Sequence, residues 1–292
     1  MTKSEMSNFK TVVTSEHKLF DLHLKETFGY RDLIMLFVKR NFVADYKQTI
    51  LGPAWAIINP LFNTFVFAIV FGGLAGLTTA DVAGDYILPS FLFYLSGNIC
   101  WSYFSTTLNQ TSNTFIQNSG TMGKVYYPRL VAPVSTAFSG LISFGIQIVM
   151  FFIVWAFYLI RGNSSISATP KLLLLPLCVI QMMILATGIG IIVSALTTKY
   201  RDLVKLVSLV LAVWRYFSPV AYGLQLVPEK YMFLYMAVNP FSSVVTSFRY
   251  FAFGFGYFDW TTYLISWGLS FVLFFIGLIL FSRIERTFMD TI

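Results

Sequence analysis

Arg215 is the residue most out of place in this chain. It lies in the run LVSLVLAVWRYFSPVAY, flanked by Trp214 and Tyr216, with Tyr222 shortly after. An arginine in the middle of an apolar crossing costs about 2.5–3.5 kcal/mol on insertion scales, so it needs something in return. A cation among aromatic rings suits a wet path for sugars and phosphates: apolar sugar faces lie on rings, and a guanidinium binds phosphate. Two plainer readings stay open. The arginine can sit near one end of the crossing and snorkel to water, and the rings can be ordinary packing. Trp55 and Trp101, in two earlier apolar stretches, are candidates for the same path. A second group of cations, Arg31, Lys39 and Arg40, precedes the first long apolar run. These suit a lipid-borne phosphate, and equally well anionic lipid in general.

Other chemistry is missing. GTMGK, Gly120 to Lys124, lacks the spacing of a phosphate-binding loop and follows no strand. There is no DxD pair, no HxxxH or CxxC metal spacing and no GxSxG elbow. His17 and His23 fall in a polar N-terminal stretch, and Cys100 and Cys178 fall in apolar runs as packing residues. Acidic residues are nearly absent from the apolar runs, so no proton relay is visible. The expectation is no catalytic residue and no metal or cofactor held by this chain.

Composition says what must carry these residues. The 292-residue chain is 57% hydrophobic and only 11% charged, with a mean hydropathy of +0.71. Soluble domains carry about 25% charged residues. The chain therefore reads as an all-α integral membrane protein with little mass outside the bilayer. Its net charge of +7 needs no nucleic acid to explain it, because basic loops set topology.

Residues 1–30 read as a polar cytoplasmic lead-in with no signal peptide. Residues 31–49 read as an amphipathic helix lying in the headgroup layer, with Leu33, Ile34, Phe37, Val38 and Phe42 on its apolar side. Gly52 and Pro53 break it. Residues 50–285 then form a body of six transmembrane helices. Expected spans start near Ala54, run from about Tyr86 to Asn113, Val131 to Ile160, Leu172 to Leu196 and Leu206 to Tyr222, and end with Trp260 to Phe281. The second is polar in its latter half, with Asn98, Ser102, Ser105, Thr106, Thr107, Asn109 and Gln110, and must face protein or water. Between the fifth and sixth spans, two short apolar stretches meet at Asn239-Pro240. Neither is long enough to cross, so two short re-entrant helices are expected. Residues 286–292 make a short tail. With both ends in the cytoplasm, 15 of the 20 Lys and Arg fall on that side. Two polar turns share it: Phe115 to Lys124, with Gln117, and Thr197 to Lys205, with Lys199, Tyr200, Arg201 and Asp202. They are either solvated connectors or seats for a cytoplasmic partner.

The segments YKQTILGPAWAIINP, KVYYPRL, TKYRDL, SPVAYGLQLVPEKY and NPFSSVVTSFRY, in this order, resemble the permease subunit of bacterial ATP-binding-cassette polysaccharide exporters, the family moving O-antigen, capsule and teichoic acid chains. The resemblance covers about residues 20 to 285. It implies a homodimer in the inner membrane, two copies of a separate ATPase holding ATP and Mg, and a lipid-linked polysaccharide as cargo, with O-antigen foremost. It implies that residues 31–48 flank the lateral entrance and that the two polar turns couple to the ATPase. Pro228, Tyr231, Asn239, Pro240 and Arg249 would belong to an external gate, and the first and fifth spans would line the conduit. Exporters of small amphiphiles on the same scaffold, an uncoupled channel and a membrane-embedded glycan-synthesis enzyme are the rival readings.

Overall fold

The computed structural model describes residues 27, 29–74, 88–122, 127–162, 169–198, 200 and 202–288. Lys124, Lys199 and Arg201, nearly all of the N-terminal lead-in, most of the C-terminal tail and the centre of the Arg161–Lys171 loop lie outside the described residues. Among the described residues every regular element is helical.

Helix α1, Arg31–Tyr46, is the expected amphipathic helix, with Ile34, Phe37 and Val38 buried. It ends where Gln48 takes a left-handed φ of 64°. A single 3-10 turn, Gly52–Ala54, places Pro53 where a missing N–H costs nothing. Helix α2, Trp55–Phe67, then continues as a π-helical stretch, Ala68–Leu74. Helix α3 is Ser90–Ser112 and α4 is Thr114–Met122. Helix α5 is Val131–Arg161, closed by Gly162 at a φ of 64°. Helix α6, Leu175–Thr197, is extended at its start by the 3-10 turn Pro170–Leu174. The shorter α7, Leu203–Trp214, follows. Then come α8, Glu229–Val238, α9, Pro240–Phe253, and α10, Trp260–Phe288.

Among the described residues, four stretches are long and apolar enough to cross a membrane: Gly52–Leu74, Val131–Arg161, Pro170–Thr197 and Trp260–Arg283. Helix α3 has the length but not the apolarity. It runs through the middle of the protein, and Leu92, Leu95, Ile99, Cys100 and Phe104 are fully buried. A helix wrapped by protein is free to carry amides and hydroxyls that lipid would reject.

The stretch expected as a helix over 206–222 differs. Helix α7 stops at Trp214 after 12 residues, about 18 Å of rise and too short to cross hydrocarbon. Residues 215–220 are a turn. Pro219 explains the break, since it has no N–H for the Arg215 carbonyl four residues back and its ring clashes with that carbonyl. Polar side chains of α8, α9 and the residue between them take carbonyls that the turn frees.

Close helix approach organises the rest. A Cβ on Gly188 of α6 would lie 2.7 Å from the Phe274 Cα of α10, and one on Gly277 would lie 2.7 Å from the Gly188 carbonyl oxygen. The two backbones touch there, as small residues permit. A second cluster ties α1 to the start of α5 and the end of α10: Phe37 meets Tyr127 edge-on at 5.6 Å, and Phe115 stacks on Phe281 at 4.6 Å.

Asp259 caps α10. Its Oδ2 accepts from the Thr262 backbone N–H at 2.9 Å. That bond holds its carboxyl below the usual carboxylate value. The cap therefore stabilises at and above the ordinary carboxylate range and fades as pH falls through the depressed pKa. Asp259→Ala should cost about 1 kcal/mol at neutral pH and nearly nothing in strong acid. Denaturation of the detergent-solubilised protein at two pH values checks this.

Candidate functional site

Three regions gather the polar side chains that the sequence singles out. The first is the turn at 215–220. A non-helical backbone inside an apolar protein must find partners for every freed carbonyl. Here Tyr235 of α8 donates to the Phe217 carbonyl at 2.8 Å, and Asn239 donates to the same oxygen at 3.1 Å and to Ser218 Oγ at 3.0 Å. Trp214 Nε1 donates to Asn239 Oδ1 at 3.1 Å. Tyr222 and Tyr235 share a hydroxyl–hydroxyl bond of 2.9 Å. Arg249 of α9 donates to the Pro219 and Val220 carbonyls at 2.6 and 3.0 Å, to Ser96 Oγ at 3.1 Å and to the Phe93 carbonyl at 3.2 Å. Its guanidinium lies 3.5 Å from the centre of the Phe93 ring. The structure thus sets Arg249 in the interior as a brace between α3, α9 and the turn.

Pro240 is buried at the first position of α9, where a missing N–H is harmless. Pro228 and Tyr231 lie on the exposed surface of the segment entering α8 and of its first turn.

The second region surrounds Arg215. Its Nη2 donates to Asn98 Oδ1 of α3 at 2.6 Å, and its guanidinium sits 4.5 Å from the centre of the Phe67 ring. Asn98 in turn donates to Thr64 Oγ1 at 3.0 Å. One cation therefore ties α2, α3 and α7 together through neutral partners. Its Nε, buried, has no partner among the described residues. Arg215 opens on a groove of about 340 Å³ that Trp101, Ser105, Thr106, Asn109 and Tyr216 also line. Tyr216 is exposed and Trp101 is packed edge-on against Phe241. Trp214 packs edge-on against Phe104 at 5.3 Å. The sequence grouping of Trp101, Arg215 and Tyr216 comes together in this groove. Tyr222 belongs to the turn network instead, and Trp55 lies elsewhere.

The third region is the neighbouring flank of α3. A cleft of about 390 Å³ opens between α1, α2, α3 and α5, with Asp45, Trp55, Ser102, Gln110 and Gln147 among its walls. Gln110 donates to the Asp45 carboxylate at 3.3 Å. Partial enclosure raises the Asp45 pKa, and the Gln110 amide opposes that rise.

Of the cations on α1, Arg31 and Lys39 are exposed. Arg40 donates to Asn118 Oδ1 of α4 at 2.9 Å and lies 4.2 Å from the centre of the Phe37 ring. The exposed Gln117 is also on α4. Tyr200 and Asp202 flank the start of α7, Asp202 at its N-cap without a side-chain capping bond.

Asn98 was expected only to face protein or water, and Tyr235, Asn118 and Gln147 had no expected role. Asn98 and Gln147 carry a signal, being amides inside apolar runs. Tyr235 and Asn118 carry none, because their partners are distant in the chain.

The comparisons with known proteins decide the family. Residues 32–253 match the family model described as ABC-2 type transporter. The chain belongs to the ABC-2 type transporter family. It is 27% identical to an O-antigen export system permease protein, RfbA, of Klebsiella pneumoniae over 92% of this chain and 98% of that protein. It is 26% identical to the RfbA of Myxococcus xanthus, covering 77% and 82% of the two chains. It is also 26% identical to the polysialic acid transport protein KpsM of Escherichia coli, covering 67% and 71%. This ABC-2 chain is thus a transport subunit in a membrane. The helices long enough to span and the family agree on that.

Proposed function

We propose that this chain is the channel-forming half of an ATP-driven exporter that moves a lipid-linked polysaccharide, O-antigen foremost, across a bacterial inner membrane. The observation that carries the reading is the near end-to-end match to O-antigen export permeases. Physical chemistry agrees with it. Each sugar hydroxyl stripped of water without a partner costs roughly 2–7 kcal/mol, so a glycan needs a continuous polar route. The amides and hydroxyls of α3 are the material for one.

The fuller assembly is part of the proposal. Two copies pair along the exposed apolar faces of α2 and α7, where Phe62, Phe65, Leu209 and Val213 stand uncovered. Helix α3, 23 residues long and so about 34 Å, completes a fifth crossing. Helix α7 with the turn and the re-entrant pair α8–α9 makes the sixth. Both chain ends are cytoplasmic, as the basic loops require. The chain holds no nucleotide motif, so ATP and Mg belong to two copies of a separate ATPase. Gln117, Tyr200 and Asp202 face that partner, and the other expected coupling residues, Lys124, Lys199 and Arg201, lie outside the described residues. Arg31, Lys39 and Arg40 stand at the carrier's entrance. Trp101, Trp214, Arg215, Tyr216 and Tyr222 line the conduit or support its wall, and Trp55, expected there too, lines the cleft between α1, α2, α3 and α5 instead. Pro228, Tyr231, Asn239, Pro240 and Arg249 support the external gate.

The test is surface polysaccharide in cells lacking the native gene and carrying variants. The wild-type gene should restore it. Arg215→Leu, which removes the cation from the α3 groove, should lower it about tenfold at equal protein level, a loss of roughly 1.4 kcal/mol. No surface glycan with the wild-type gene, or full export by Arg215→Leu, would sink the respective claims.

A further inference from the structure

The cleft between α1, α2, α3 and α5 lies about a quarter turn around α3 from the Arg215 groove, and Thr106 lines both spaces. Its upper wall is Ser102 and its lower wall is Gln110, about 12 Å apart along α3. Asp45 and Tyr46 end the amphipathic helix beside it, and Trp55 begins the first crossing. The cleft therefore starts at the depth of lipid headgroups and rises from there.

Its walls are built for hydroxyls. Gln147 is 5% exposed. Its amide nitrogen reaches Ser102 Oγ at 3.4 Å, and its Oε1 has no partner among the described residues. An orphaned amide oxygen of that kind costs about 1–3 kcal/mol unless something donates to it. The Asp45 carboxylate is a second acceptor, and Asn59 adds an amide. Pro60 has no N–H for the Ala56 carbonyl one turn below, and Ala56 lines the same space. No Lys or Arg is among the described residues that line the cleft. The carboxylate excludes phosphate, and the donors wanted are neutral O–H groups. Trp55, 41% exposed, supplies an open ring at the mouth for an apolar sugar face.

We propose that this cleft is a subsite for a neutral, hydroxyl-rich headgroup borne on a lipid, and that its occupant is the first hexose of the lipid-linked glycan. The inference rests on the polysaccharide reading above and adds a place and a chemistry to it. The diphosphate stays outside, toward the cations of α1, while the sugar's hydroxyls meet Gln147 and Asp45. The glycerol headgroup of a phospholipid offers the same chemistry and is the competing source.

Binding to the purified full-length chain in phosphatidylcholine nanodiscs tests this. The probes are a fluorescent polyprenyl diphosphate with one hexose, the same lipid without the sugar, and unlabelled phosphatidylglycerol as competitor. The sugar-bearing probe should bind about tenfold tighter than the sugarless one. Gln147→Leu and Trp55→Leu should each erase that preference while leaving the sugarless affinity unchanged. Trp55 is outside the core, so its variant answers even if Gln147→Leu does not fold. Equal affinities for the two probes, or a preference untouched by Trp55→Leu, would overturn the subsite. Competition by phosphatidylglycerol at equal potency would assign the cleft to lipid and overturn the sugar. Either failure is separable from failure of the export reading, because surface polysaccharide in complemented cells is read independently.

Discussion

Arg249→Met should leave little folded protein in the membrane. The substitution keeps most of the side chain's bulk but removes every donor. The Pro219 and Val220 carbonyls would lose their Arg249 donor, while Ser96 Oγ and the Phe93 carbonyl would keep only their mutual 2.7 Å bond. Each buried carbonyl left without a donor costs about 1–3 kcal/mol. Together these losses are a large part of the 5–15 kcal/mol by which a native protein is typically stable. Arg249→Lys should be nearly as damaging, because one ammonium cannot span acceptors on α3 and on the turn. Gly97 sharpens the expectation: a Cβ there would stand 2.6 Å from Arg249 Nη2 and 2.8 Å from the Val220 carbonyl oxygen. Membrane yield and fluorescence-detected gel filtration read the outcome. A monodisperse Arg249→Met protein at wild-type yield would show that the turn holds without its brace.

Gly188→Val should separate α6 from α10. The new Cβ alone would press on the Phe274 Cα at 2.7 Å and its nitrogen at 2.8 Å, both main-chain atoms that no rotamer change can move aside. Overpacking of this kind costs about 1–3 kcal/mol, and two helices must shift bodily to relieve it. The expected result is a lower thermal midpoint and reduced surface polysaccharide. Gly145→Ala serves as control, since a Cβ there meets nothing within 4 Å. If Gly188→Val melts like Gly145→Ala, the close approach is not what holds this pair.

These two positions differ in how visible they are in the sequence. Gly188 stands among small residues late in an apolar run, and that pattern alone announces close packing. The crossings were legible for the same reason: one long apolar run makes one helix, and the structure places α2, α5, α6 and α10 within a few residues of expectation. Helix α1 was legible from its periodicity and from Pro53. The end of α7 was legible only in part: Pro219, whose ring clashes with the carbonyl of Arg215, marks the break, although the apolar pattern continues to Tyr222. That Tyr235, Asn239 and Arg249 hold the turn was not legible, because such partners are invisible to a local reading. Arg249 illustrates the same limit. The resemblance assigned it to an external gate, but its four acceptors lie about 30 and 150 positions away in the chain. The Arg215–Asn98 bond was half legible: both residues stood out as polar intruders, and only the fold could say that they meet.

Arg215 and Arg249 share one further property. Every hydrogen-bond partner either one has, among the described residues, is an uncharged dipole. Dipoles soothe a nearby cation without cancelling it, because their own field dies away faster than that of the monopole. The chain therefore carries two positive charges with no acidic hydrogen-bond partner among the described residues, Arg249 buried and Arg215 at the wall of its groove, where Coulomb forces reach further than in bulk water. Anything cationic passing close by meets a standing electrostatic hill, and anything anionic meets a slope in its favour.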